Sequence, residues 1–364
     1  MKIAQMTKNS YHNHGMTLQK YALHKTLQKY ADFVEVLWYD SNSFLPDTGV
    51  WLGWNHQCDQ NNPQKNFMYE AIRSSKFRDF EFRYIRTRFN IPYIEEIADD
   101  YDFFVIGSDQ VWNPLSGIGF LEFVPREKRI SYAASISSPI IPDEMKEYFR
   151  RGILGIPHVS IREEGSVKMI EELTGKKPLL VVDPIFLLTL EEWHEVAQRP
   201  IWFDEKYERG YVLSYCLRGE PPQALYTVAK ESNLKVVELL KMDNYNHYTV
   251  GPAEFLYLVE HASLVYTNSF HGTAFSIFFR TPFVSYEYHD ENVFNKSLRI
   301  PGILKMFDLE NRLAKPENNY KINSPLETDF SFRDKILPKE RAKSFGFLAN
   351  ALGTTVSAKW GGVG

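Results

Sequence analysis

Cysteine is nearly absent from this chain of 364 residues: there are two, Cys58 and Cys216, far apart and without the close spacing of metal-binding pairs. That scarcity fits work in a reducing cytoplasm rather than a disulfide-stapled secreted fold. Charge excess is also missing. A formal net charge of −4 gives no global attraction to nucleic acid or anionic lipid. The start, MKIAQMTKNS, turns polar by Gln5 and has no apolar signal-peptide core. The uncharged stretch Ala262–Phe279 is interrupted by Thr267, Asn268, Ser269, His271, Gly272 and Thr273, so crossing a bilayer there would bury too many polar groups. We therefore expect a cytoplasmic protein that is not integral to a membrane. No fixed-period repeat, low-complexity block, Walker loop, GxGxxG string, zinc spacing or ordered Ser-His-Asp set appears.

What is abundant is aromatic: 15% of the chain, which supplies large cores and also flat apolar faces compatible with sugar rings. The length exceeds one ordinary core and predicts two domains. Strand and helix signals alternate along the chain, implying parallel sheets covered by helices. The first half reads as a strand at Lys2–Met6, weakened by Gln5, a helix from Met16 to Tyr30, and β character at Phe33–Tyr39. An irregular stretch, Trp51–Gln64, precedes a basic helix over Phe67–Phe89. Strands follow at Phe103–Ile106, Ile130–Ala134, His158–Arg162 and Leu179–Val182, with a helix over Gly165–Thr174. After Asp183-Pro184, a helix near Glu191–Ala197 and a polar stretch to Gly210, the alternation restarts. It gives strands at Tyr211–Tyr215, Lys235–Leu240, Leu264–Thr267 and Phe283–Tyr286, with helices over Pro222–Glu231, Pro252–Glu260 and Gly272–Phe279. We expect two Rossmann-like domains, residues 1–200 and 201–334, facing across a cleft, then a C-terminal helix and tail at 335–364 that ends in a frayed AKWGGVG.

Open α/β sheets bind ligands beyond the carboxyl ends of their strands, and four such ends carry unusual polar residues. They are Gly107-Ser108-Asp109-Gln110, Ser135-Ile136-Ser137-Ser138, Ser160-Ile161-Arg162-Glu163 and Asn268-Ser269-Phe270-His271-Gly272. In the last, a strand runs into the start of an apolar helix, where backbone N–H groups make an anion site and Ser269 or Thr273 can donate. His271 beside an anion would favour its cationic form and suit a general acid. The plain alternative is that Ser269 caps the helix and His271 is a buried polar residue. Arg162 can clamp a carboxylate or phosphate bidentately, or form a surface salt bridge with Glu163 or Glu164. Asp109 can face a ligand at its strand end or simply cap a turn. Asn13, His14 and Gly15, in the first strand-to-helix loop, can add anion contacts. The basic helix interleaves Arg73, Lys76, Arg78, Arg83, Arg86 and Arg88 with Phe77, Phe80, Phe82 and Tyr84. It reads as a packed helix with a solvated basic face, or as a membrane-surface helix.

Taken together, these segments resemble the polysaccharide pyruvyl transferases. The resemblance rests on YHNHGMTLQKYALHKTL, YDFFVIGSDQVWNP, RISYAASIS, SIREEGSVKMIEELTG, VVDPIFLLTLEEW, GPAEFLYLVEHASLVYTNSFHGTAFSIFFRTPFV and NKSLRIPGILKMFDLENRL, in order from Met1 to Leu313. It implies a fold like that of the GT-B glycosyltransferases, with the first domain on the acceptor side and the second on the donor side. It also implies transfer of the pyruvyl group of phosphoenolpyruvate onto two hydroxyls of a sugar, releasing phosphate, with no cofactor and no metal. The acceptor would be a sugar or lipid-linked glycan in capsule or exopolysaccharide assembly, with peripheral membrane contact and no nucleic acid. His271 becomes the acid or phosphate partner and Arg162 a ligand of the donor's anionic groups. Ser269, Gly272 and Thr273 would lie at the anion, with Asp109 and Asn113 on the acceptor side and Asp109 as the base. Asn13, Gly15, Ser108 and Ser160 complete the candidate substrate contacts, and Arg299 is a second cation. One departure stands out: many members carry Arg two residues before the His, where this chain has Ser269. Either Arg299, Arg280 or a lysine would then supply the charge, or this branch binds its donor differently. Two other functions share the architecture. One is a nucleotide-sugar glycosyltransferase, for which Glu238 is the ribose-binding candidate; the other is a non-catalytic glycan-binding relative.

Overall fold

The structure is a computed structural model that describes residues 1–38, 63–91, 93–114, 118–287 and 298–355. Cys58, the tail AKWGGVG and all but the end of the irregular Trp51–Gln64 stretch lie outside them. The first half builds β1 (Lys2–Met6), β2 (Phe33–Leu37), β3 (Thr87–Arg88), β4 (Phe103–Ile106), β5 (Arg129–Ala134), β6 (His158–Ile161) and β7 (Leu179–Leu180). These form one parallel sheet in the order β3-β2-β1-β4-β5-β6-β7. The second half builds β8 (Tyr211–Tyr215), β9 (Lys235–Glu238), β10 (Leu264–Thr267), β11 (Phe283–Tyr286) and β12 (Leu313–Ala314), parallel in the order β12-β11-β10-β8-β9. In each sheet the order reverses beside the first strand, which is the doubly wound pattern with a ligand crevice at the reversal. Two Rossmann-like units in tandem make the GT-B arrangement expected from the sequence. The central strands are apolar runs buried on both faces, Phe-Phe-Val-Ile in β4 and Leu-Val-Tyr-Thr in β10, as parallel sheets require.

Twelve α-helices connect the strands among the described residues. They are α1 (His14–Leu27), α2 (Pro63–Tyr84), α3 (Lys146–Leu154), α4 (Glu164–Thr174), α5 (Leu190–His194) and α6 (Glu205–Glu208) in the first part of the chain. The remainder are α7 (Gln223–Glu231), α8 (Tyr245–Tyr248), α9 (Pro252–Glu260), α10 (Phe270–Phe279), α11 (Arg299–Met306) and α12 (Ser331–Ala351). None is long and apolar enough to cross a membrane.

Helix α1 sits between the halves and is buried nearly all round, polar residues included. Each of those polar groups needs an internal partner. The Gln5 amide donates to the Lys20 carbonyl at 3.1 Å, so the polar residue that weakens β1 in sequence ties that strand to α1. Lys20 is fully buried against Glu81 of α2 at 2.7 Å. His14 donates from Nε2 to the Val250 carbonyl at 2.9 Å and stacks on Phe255 of α9, fastening α1 to the second half. Burial, with Arg73 adding to it, holds that imidazole neutral by pressing its pKa well down. The last helix, α12, crosses back to the first half: Val182 N–H donates to Ser344 Oγ at 3.2 Å and Tyr30 donates to the Phe345 carbonyl at 3.1 Å.

Three details differ from the sequence reading. Helix α2 stops at Tyr84, and Thr87-Arg88 pairs instead with Val36-Leu37 as β3. Short α3, α6, α8 and α11 and two-residue β12 went unread. In α2, Phe77 and Phe80 are core and Arg78 and Arg83 are solvated, but Phe82 is 63% exposed. Arg73 is buried, donating to the carbonyls of Tyr248 at 2.8 Å and His12 at 3.0 Å.

Removing one member of a buried ion pair leaves the other charge uncompensated. Lys20→Met is therefore expected to cost about 3–5 kcal/mol in urea unfolding. Adding Glu81→Leu should recover most of that loss; an equally unstable double variant would mean the pair is not the cause.

Candidate active site

The polar strand ends of both sheets meet at one place. Ser108 and Asp109 follow β4, Ser135 follows β5, Arg162 and Glu163 follow β6, and Asp183 follows β7. From the other half, α10 brings Phe270 and His271 in its first turn, and α11 begins with Arg299.

Asp183 lies at the centre, buried. Its Oδ2 accepts from Arg162 Nη1 at 2.5 Å and faces Ser108 Oγ at 3.3 Å, while Oδ1 accepts the Ile185 N–H at 3.1 Å. His271 Nε2 stands 3.7 Å from the same Oδ2, buried and with no hydrogen-bond partner among the described residues. Arg162 is not the surface residue of the alternative reading: its side chain is 2% exposed. Its guanidinium lies 4.2 Å from the Phe270 ring centre, and its Nε and Nη2 have no hydrogen-bond partner among the described residues. Arg299 is 5.9 Å from the same ring and 3.9 Å from Asp109, and its side chain is 21% exposed. The Gln110 amide oxygen, turned toward Arg299, accepts from it at 3.0 Å.

Burial works to raise both aspartates, yet their neighbours win. His271 and Arg162 hold the Asp183 carboxyl well below the usual carboxylate range; His271, Arg162 and Arg299 lower Asp109. Glu163 goes the other way: burial pushes its carboxyl up despite Arg162 and Ser135. Burial also lowers Arg299, to about 10.

Gly15 belongs here for a steric reason. A Cβ on it would collide with the His271 imidazole, so only glycine lets α1 approach that ring. Gly272 is likewise a close-approach position, against Thr267 of β10. Other sequence candidates have their polar atoms engaged in the fold. Asn13 caps α1, accepting from Met16 N–H at 3.1 Å. Ser269 caps α10, accepting from Gly272 N–H at 3.3 Å. Thr273 is fully buried against Ser285 at 2.6 Å. Ser160 lies inside the sheet, bridging the Ser131 carbonyl and Ala133 N–H where the β5–β6 register shifts. Asn113 reaches the Ile136 carbonyl at 3.4 Å. Arg280 ends α10 at the far side, 59% exposed and 3.2 Å from Asp334. The Glu238 carboxylate faces the Tyr226 hydroxyl and Lys241.

The sequence reading missed Asp183 as a site residue. The same signal, a polar residue just past an apolar strand, marks it, but Asp-Pro reads as a turn. Phe270 carried no chemical signal. Among the described residues no cluster of His, Cys, Asp or Glu is arranged to hold a metal ion. A crevice of about 10 Å³ lies between Arg162, Asp183, Phe270, Arg299 and the apolar Ile303 and Met306, room for about one water, so a larger ligand must part these walls. A roomier concavity of about 620 Å³ lies elsewhere, between α4, β7 and α12; its charged lining is solvated surface lysine and glutamate.

Residues 13–290 match the polysaccharide pyruvyl transferase family. The chain belongs to that family. No curated protein sequence matches it. Among solved structures it is similar to the Anabaena protein Alr3699/HepE in complex with UDP, at 11% identity and a TM-score of 0.48, covering 97% of this chain and 100% of that one. It is also similar to the Neisseria meningitidis UDP-GlcNAc 2-epimerase bound to UDP-GlcNAc, at 10% identity and a TM-score of 0.43, covering 96% and 100%.

The low-lying Asp183 carboxyl stabilises the fold fully above the ordinary carboxyl pKa of about 4 and loses that contribution as pH falls below it. Asp183→Asn is expected to lose about 3–5 kcal/mol at pH 7, in denaturant unfolding. The gap to the unsubstituted protein should shrink below about pH 4; a gap independent of pH would remove the ionised carboxylate from the explanation.

Proposed function

We propose that this protein transfers the pyruvyl group of phosphoenolpyruvate to a pair of hydroxyls on a glycan, forming a cyclic ketal and releasing inorganic phosphate. One observation carries the reading beyond the family match: buried Arg162 donors that make no hydrogen bond, each 3.6 Å from a carboxylate, converge with His271 and Arg299 where the two sheets meet. Buried donors without partners are unfavourable, and an anion with a carboxylate and a phosphate is the kind of ligand that satisfies them.

The reaction balances as follows. A proton goes to the methylene carbon of phosphoenolpyruvate, and a sugar oxygen adds to the adjacent carbon. The carbon–oxygen bond to phosphate breaks, and the second hydroxyl adds to the same carbon with loss of its proton. Both hydroxyl protons need an acceptor, and the methylene carbon needs a donor. His271 is the acid, oriented by Asp183. Asp109, held ionised by three cationic neighbours, is the base on the acceptor side. Arg162 binds the donor, and Arg299, more exposed, accompanies the departing phosphate. Arg299 thus stands in for the arginine that this chain replaces with Ser269. The acceptor is a lipid-linked glycan of capsule or exopolysaccharide assembly, reached by peripheral contact at the cytoplasmic face of the membrane.

The direct test is the thermal stability of the protein with phosphoenolpyruvate against a panel of nucleotide sugars. A ligand that binds only the native state raises the melting temperature. A rise with phosphoenolpyruvate supports the reading; a rise only with a nucleotide sugar replaces it with glycosyl transfer. With galactose- and mannose-terminated oligosaccharides as acceptors, His271→Ala should lower phosphate release by about 10²–10⁴-fold at a nearly unchanged melting temperature. Unaltered release would leave His271 as a packing residue.

A further inference from the structure

Glu163 occupies the N-cap position of α4, yet its side chain makes no cap hydrogen bond. It turns into the cleft instead, 1% exposed, where Ser135 hydrogen-bonds Oε1 and Oε2 has no partner among the described residues. Arg162 has two edges for anions. Its Nη1 is taken by Asp183, while the side edge formed by Nε and Nη2 has no hydrogen-bond partner. That edge is bracketed by carboxylates just beyond hydrogen-bonding reach: Glu163 Oε1 is 3.6 Å from Nε and Asp109 Oδ1 is 3.6 Å from Nη2.

A planar carboxylate fits this fork in bidentate fashion. It would then lie beside two further carboxyl groups, and like charges at that range repel unless one group carries a proton. We propose that Glu163 works as a neutral carboxylic acid, donating a hydrogen bond to the substrate carboxylate held on the side edge of Arg162. The proposal rests on the donor reading above and assigns the donor's carboxylate, rather than its phosphate, to this fork.

Charge bookkeeping places the proton on Glu163 rather than on its neighbours. Asp109 faces Arg162, Arg299 and His271; Asp183 faces Arg162 and His271. Both are held low. Glu163 faces Arg162 across 3.6 Å, Ser135, and more distantly Arg299, and burial outweighs all three. With Glu163 neutral, Arg162, Arg299 and the protonated His271 of the proposed reaction outnumber the ionised Asp109 and Asp183, so an incoming carboxylate meets net positive charge. Carboxyl groups driven apart in this way divide acid from base roles.

The experiment has two arms. Nuclear magnetic resonance of the protein carrying carboxyl-labelled glutamate, titrated between pH 3 and 9 without ligand, should show a carboxyl that titrates above the ordinary glutamate range. That signal should be missing in Glu163→Gln. Phosphoenolpyruvate affinity, measured by calorimetry, should fall about tenfold more per pH unit above that titration in the unsubstituted protein than in Glu163→Gln, which keeps a donor that cannot ionise. Inorganic phosphate, as a second probe, should show the same pH profile in both proteins. Phosphoenolpyruvate binding with Glu163 ionised at pH 6, or parallel affinity curves for the two proteins, overturns the carboxyl pairing alone. Failure of phosphoenolpyruvate to bind at any pH overturns the donor assignment and the pairing with it.

Discussion

The Asp183 carboxylate meets partners from several elements and from both halves of the protein. It holds the Arg162 guanidinium from the end of β6, faces the Ser108 hydroxyl after β4, accepts the Ile185 N–H that starts the turn at Pro184–Leu187, and confronts the His271 ring at the start of α10. A buried charge is unfavourable unless its partners compensate fully. That requirement makes Asp183 sensitive to how the sheets approach one another. If α10 moves, the carboxylate loses its imidazole; if β6 shifts, it loses its guanidinium. The turn it caps also carries Ile185, Phe186 and Leu187 into the core beneath α1. The electrostatics of the cleft and the packing of the helix between the halves are thus fixed at one residue.

Much of the architecture is legible in sequence because parallel strands buried on both faces appear as apolar runs, as in Phe103–Ile106 and Tyr211–Tyr215. The misses have physical causes. Strands β3 and β12 are two residues long, too short for any period, and the aromatic-basic interleaving before β3 continues a helical pattern past its end at Tyr84. Helix α1 shows little amphipathic contrast because it is enclosed on all sides. In the site, a polar residue just past a strand marks Asp109, Arg162 and His271, which converge. The same rule accepts Ser160, whose hydroxyl instead repairs the β5–β6 ladder, because sequence does not reveal a register shift. It passes over Asp183, since aspartate before proline is ordinary turn chemistry.

The serine two residues before His271 has a structural reason. Ser269 occupies the N-cap of α10, where its hydroxyl satisfies the Gly272 N–H. An arginine there could not serve as that cap acceptor. Two cations do lie nearby: Arg162 from the first half and Arg299 from the second both lie against the Phe270 ring, at 4.2 and 5.9 Å. Arg280 cannot contribute, because it sits at the opposite end of α10, about 14 Å along a helix that rises 1.5 Å per residue. An arginine in the first turn of α10 would travel with His271 as a single rigid unit. Guanidiniums divided between the halves do not, so the field at the cleft depends on the halves being closed. Partial exposure of Arg299 and full burial of Arg162 give that field a direction, with one cation fixed at the floor and one at the rim. A ligand bearing two separate anionic groups matches such a gradient better than a compact monoanion.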